Sequence, residues 1–294
     1  MSYLIAVTLL WAVSFSLIGE YLSGQVDSYF AVLTRIVLAG LIFLPLLRPQ
    51  RLAKGFMAGV TLTGALQFGV TYIGLYLSFE YLTVPEVLLF TIFTPLYVAL
   101  IDNALSRRFS WAPIVSTLIA VMGAAIIRYD GVSQAFIQGF LLLQLANLAF
   151  AAGQVGYAHL VRRYYPQGGK LTEGFGFFFI GAFLIALPAF LLLGNSERLP
   201  STSLHWGVLA WLGLVASGLG FYFWNLGASK VDAGTLGIMN NALIPAGLIV
   251  NLVIWNRQAD LTRLLIGGAV ILLSLWINQR WPHWMKRLKT QTAP

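Results

Sequence analysis

Apolar residues fall along this chain in runs of about twenty, separated by short polar or basic stretches. An α-helix rises 1.5 Å per residue, so about 20 apolar residues cross the hydrocarbon core of a bilayer. Ten runs reach that length: 3–22, 28–47, 55–78, 84–103, 111–128, 137–160, 173–194, 204–226, 233–255 and 261–280. The pattern predicts an all-α integral membrane protein with ten transmembrane helices. The short connections predict that neighbouring helices pack antiparallel. The first run, "YLIAVTLLWAVSFSLI", has no basic stretch before it and no small-x-small cleavage site after it, so it reads as a span rather than a signal peptide.

The runs repeat. Sliding the chain on itself by 150 residues lays "FGVTYIGLYLSFEYL" (68–82) on "GLGFYFWNLGASKVD" (218–232), with Tyr72 over Tyr222. The next span places Pro95 over Pro245 and Thr91 over Asn241. This divides the chain into a first five-helix repeat at 1–130, a second at 131–281 and a basic tail at 282–294. Five spans per repeat is odd, so the halves cross the membrane in opposite senses. Inverted repeats of this kind serve secondary transporters, with the two halves expected to rock about a site at the bilayer midplane.

Composition supports the membrane reading. Of 294 residues 59% are hydrophobic and 10% charged, against about 25% charged in soluble domains. The net charge of +8 raises the question of nucleic acid. The basic residues cluster between spans, however, and read as topology signals. With both termini in the cytoplasm of a bacterial-type inner membrane, thirteen Lys and Arg lie in inner loops and tail and four in outer loops. There is no cysteine, which removes disulfides and thiolate chemistry. His159, His205 and His283 lie far apart, and no metal or cofactor is expected. "YYPQGGKLT" lacks the glycine spacing of a phosphate loop, and Leu171 stands where Ser or Thr would follow the lysine. Gly55 and Gly59 form a G-x-x-x-G that marks close helix packing.

"IMNNALIPAG" (238–247) sets two asparagines and a proline in an apolar run. A proline inside a helix frees the carbonyl four residues back, here that of Asn241, and of Thr91 for Pro95. Such backbone is tolerated at membrane depth where it lines a cavity or packs inside protein. The fourth and ninth spans are therefore expected to kink at Pro95 and Pro245 and to face a polar cavity, with helix-to-helix bonding by Asn240 and Asn241 as the plainer alternative. Tyr72 and Tyr76 share a helix face, and Asn225 follows Tyr222 by three. Trp11, Asn147, Phe150 and Gln154 give aromatic or polar character to the first and sixth spans. Thr94 adjoins Pro95. The candidate substrate-binding set is Trp11, Tyr72, Tyr76, Thr91, Thr94, Asn147, Phe150, Tyr222, Asn225, Asn240 and Asn241.

Two charges stand out. Arg35 lies within the second span, where an ionisable residue is a functional candidate. A structural pair with Glu20, Glu80 or Glu86 is favoured, and anion sensing is the second reading. Glu86, one turn into the fourth span, reads first as a solvated helix N-terminus and second as a carboxylate for proton coupling.

The segments "LLWAVSFSLIG", "LTRIVLAGLIFLPLL", "VLLFTIFTPLYVAL" and "GIMNNALIPAGLIV" resemble the drug/metabolite transporter superfamily, in particular its ten-helix members with two EamA domains. Where many such domains carry a glutamate just after the fourth and ninth spans, this chain has Asp102 and Asp260 nearby. The resemblance implies transport through a cavity built from the first, third and fourth spans and their mates, the sixth, eighth and ninth. It leans toward export of an amino acid, amine or related solute, with import of a vitamin or cofactor precursor such as riboflavin as the alternative. The partners expected are a small-molecule solute, the lipid bilayer and, as an open question, a coupling proton; the unit is a monomer or weak homodimer. A lipid-modifying enzyme would need clustered His, Asp or Glu at one interface, and none is seen. A non-transporting scaffold would leave few mid-span polar groups unpaired.

Overall fold

Eight of the ten runs are continuous helices in the computed structural model, which describes residues 2–105, 134–169, 171–231 and 233–255, with single positions between 115 and 122 and between 262 and 281. We label them α1 (Ser2–Leu22), α2 (Ser28–Leu46), α3 (Lys54–Ser78), α4 (Val84–Leu105), α5 (Gln134–Tyr164), α6 (Thr172–Leu193), α7 (Ser203–Ala228) and α8 (Ala233–Trp255). Each is long and apolar enough to cross a bilayer, and no strand occurs among the described residues. The fifth and tenth expected spans, the tail and Asp260 fall outside the continuously described residues.

The helices do not pack in chain order, contrary to the antiparallel-neighbour expectation. The broad interfaces are α1 with α7 and α8, α2 with α6 and α7, α3 with α5 and α6, and α4 with α5 and α8. Nearly all join the first half to the second, so the halves interleave instead of lying side by side. The reason is visible in the small residues. In lipid, helices gain from close approach rather than from burial of apolar area. A methyl on Gly64 would collide with the Phe178 carbonyl, and one on Gly181 with the Thr61 carbonyl, so α3 and α6 touch backbone to backbone. Gly74 lies against the Leu142 carbonyl of α5, and Gly153 against Gln67 of α3. The G-x-x-x-G glycines lie against Tyr164 and Leu160 of α5.

Two helices change winding at related places. α3 is π-helical over Ala65–Val70 and α7 over Leu212–Leu219. A π segment leaves backbone carbonyls open to other donors. In α7 the Ala216 carbonyl accepts the Trp11 indole N–H at 2.9 Å. In α3 the Leu66 carbonyl accepts the Thr71 hydroxyl at 3.0 Å. The prolines behave differently from each other. α4 tightens to a 3₁₀ turn over Thr91–Phe93 just before Pro95, whereas α8 runs as one α-helix through Pro245.

Polar clasps join the loops at one face. Asp27 caps α2 by accepting from the Phe30 N–H at 2.7 Å and also accepts from the Asn195 N–H at 3.0 Å. Ser28 donates to Glu80 at 2.9 Å, and Ser23 to the Phe79 carbonyl at 2.9 Å. At the other face Arg51 pairs with Glu173 at 3.1 Å, the one ion pair among the described residues.

Candidate functional site

The interleaved helices frame a central cavity that, together with the open space at its mouth, takes in about 700 Å³. All six implied spans line it through α1, α3, α4, α5, α7 and α8, and α2 adds Arg35. One wall is aromatic. The Trp11 ring lies 4.9 Å from that of Trp224, 5.2 Å from that of Phe221 and 5.8 Å from that of Phe150. These rings are fixed by their polar edges. Trp11 is tied to Ala216, and the Trp224 indole N–H donates to Gln154 Oε1 at 2.9 Å. Gln154 is fully buried behind the lining, where it also faces the Asn240 amide at 3.4 Å.

A polar cluster adjoins these rings, with the Tyr72 ring 5.5 Å from that of Phe221. Arg35 is 1% exposed. Its Nε donates to Ser217 Oγ at 3.0 Å, Nη1 to the Tyr76 hydroxyl at 3.0 Å and Nη2 to the Tyr72 hydroxyl at 2.7 Å. The guanidinium carbon also lies 4.2 Å from the centre of the Tyr72 ring, a cation–π distance. The carboxylate pair favoured from sequence is not formed: Arg35 is held by hydroxyls, while Glu80 accepts from Ser28. Glu86 turns back on its own helix start, accepting from the Thr83 N–H at 2.8 Å and hydroxyl at 2.9 Å.

Of the expected site residues, Trp11, Tyr72, Thr91, Thr94, Asn147, Phe150 and Asn240 line the cavity together. Asn147 donates to the Phe90 carbonyl at 2.9 Å, at the end of the α4 turn that precedes the 3₁₀ segment. Thr91 donates to the Leu88 carbonyl at 2.6 Å. Tyr76 stands behind the lining on Arg35. Tyr222 does not reach the cavity; its ring packs 5.2 Å from Phe43 and 5.3 Å from Phe175. Asn225 is buried and donates to the Phe221 carbonyl at 3.0 Å. Asn241 is buried off the lining with both amide atoms unpartnered. Sequence reasoning missed Phe221 and Trp224. Both adjoin the mid-span tyrosine that drew attention, and a count of one helical turn either side of it would have included them.

The family model for EamA-like transporters matches residues 1–129. A probable biotin transporter of Pseudomonas aeruginosa is 62% identical, over 95% of this chain and 97% of that protein. The biotin transporter of Escherichia coli K12 is 51% identical, over 96% and 93%, and that of Salmonella typhimurium LT2 is 52% identical, over 96% and 93%. A solved crystal structure superposes with a TM-score of 0.65 at 16% identity, over 94% of this chain and 93% of the other, a likeness of fold.

Proposed function

Because this chain belongs to the EamA-like transporter family and is a multi-pass membrane transporter of a small metabolite rather than an enzyme, we propose that its solute is biotin, taken up across a bacterial inner membrane by alternating access. The observation that carries this reading is the mixed aromatic and polar lining of the cavity. Trp11, Trp224, Phe221 and Phe150 offer flat apolar faces, and Asn147 and Asn240 offer amides. Biotin has a compact fused bicycle with a urea edge and a flexible acid tail. Aromatic faces suit the bicycle and amides suit the urea edge. The names borne by relatives at 51% to 62% identity support the same solute. This favours the vitamin alternative over export of an amino acid or amine. Uptake follows from the vitamin reading, since cells gather vitamins rather than expel them.

Alternation cannot use the sequence halves as rigid units, because their helices interleave. The moving groups therefore each draw helices from both halves. A single chain, with both termini cytoplasmic, is the working unit. The test is uptake of radiolabelled biotin by proteoliposomes containing the purified protein. Accumulation above protein-free vesicles, competed by unlabelled biotin, is expected. Uptake equal to that of protein-free vesicles overturns the reading.

A further inference from the structure

Arg35 is a buried cation whose neighbours are all neutral. It draws on α2, and on Tyr72, Tyr76 and Ser217 from α3 and α7. No carboxylate among the described residues reaches it, and Asp27 and Glu80, the acids around its end of α2, are engaged by Phe30, Asn195 and Ser28. A guanidinium presents five N–H donors. Three of these meet hydroxyls, which leaves two. Neutral hydroxyls lessen the cost of burying a charge but do not cancel it, and an uncompensated cation at membrane depth is costly. Arg35 and Tyr72 both line the central cavity. The missing anion can therefore come from a cavity occupant.

We propose that Arg35 is the anchor for the carboxylate of the transported solute, so that the substrate itself completes the ion pair. This rests on the proposed solute and adds which end of it is recognised. The planar fork of a guanidinium matches a carboxylate in a two-point bond. The Tyr72 hydroxyl accepts from Arg35 and so keeps its own proton to donate to the same carboxylate. Tyr76 and Ser217 hold the fork in place from behind. The acid tail of the solute then points to the Arg35 wall and the bicycle to the Trp11–Trp224 wall. The carrier selects the free acid and rejects neutral derivatives with the same bicycle.

The experiment is competition for labelled biotin uptake in proteoliposomes of the wild-type protein, using biotin, its methyl ester and the alcohol in which the carboxylate is reduced. Loss of a charge-assisted bond of this kind predicts competition about 10- to 100-fold weaker for both neutral analogues. Tyr72→Phe, which keeps the ring over Arg35, narrows that preference about tenfold or more while leaving the neutral analogues unchanged. Arg35→Lys retains part of the preference, and Arg35→Gln abolishes it. Equal competition by acid, ester and alcohol overturns the anchor while leaving biotin as the solute. If biotin itself is not transported, the solute reading fails separately. The anchor is then tested by thermal shift of the same protein with matched carboxylates and carboxamides. Stabilisation by the carboxylates alone upholds it, and stabilisation by neutral or cationic compounds alone, or by none of the panel, overturns it.

Discussion

Tyr72 in α3 and Tyr222 in α7 lie 150 residues apart, and each follows a π-helical segment, yet they do opposite things. Tyr72 lines the cavity and holds Arg35. Tyr222 turns out onto Phe43 and Phe175, and the adjacent Phe221 lines the cavity. The π segment spans six residues in α3 and eight in α7. Adjacent residues on a helix point about 100° apart, so a small difference in winding exchanges one side chain for the next. The two stretches thus share a change of winding and not the chemistry of the side chains that follow it. The cavity carries a cationic, hydroxylic cluster beside an aromatic one, which suits a solute with unlike ends.

The severest disruption falls on the scaffold behind the cavity lining. Gly64→Val, or Gly181→Val, drives a branched side chain into a carbonyl of the facing helix. Such overpacking costs about 1–3 kcal/mol where the core can shift, and more against backbone. The expected result is a clear fall in the thermal midpoint of detergent-purified protein, read by size-exclusion fluorescence, with loss of uptake.

A finer break sets the two tyrosines against each other. Tyr72→Phe is expected to weaken biotin binding by about 1.5–3 kcal/mol, the scale of a hydrogen bond to a charged partner, whereas Tyr222→Phe changes it less than twofold. Isothermal titration measures both, and equal effects would mean that the walls are symmetric after all. The aromatic wall has its own signature. Phe221→Leu removes a ring contact worth about 0.5–1.5 kcal/mol and is expected to weaken the acid and its methyl ester alike. A selective loss of the acid there would reverse the assignment of the walls.

The smallest effect has the opposite sign. Asn241 is buried with neither amide atom partnered, so Asn241→Leu removes an unsatisfied polar group without breaking a bond. Thermal stability is expected to hold or rise by about 1 kcal/mol, with binding unchanged.

The apolar runs made eight helices legible to within a few residues, because length and hydropathy alone decide what can cross a bilayer. Seven of the eleven expected binding residues line one cavity, since mid-span polar and aromatic groups turn away from lipid. The register beyond the π segments was not legible, as no local residue pattern announces the extra residue in a turn. That is why Tyr222 was expected where Phe221 stands. The partners of Arg35 were also hidden. Acids nearby in the chain suggested an ion pair, but the guanidinium is met by hydroxyls from α3 and α7, and Ser217 lies far along the sequence. Helix pairing was hidden for a related reason: glycine-to-carbonyl contact between distant helices outweighs nearness in the chain.

That pairing bears on how the protein is made. A membrane helix can insert alone and associate afterwards. α2 is complete at Leu46, but its partner α6 ends only at Leu193. At about 5–20 residues per second, α2 waits on the order of ten seconds after emerging before the helix it packs against is complete. During synthesis, then, the early helices stand in lipid with their glycine faces uncovered and Arg35 without Ser217, and the cavity closes only when α7 and α8 arrive.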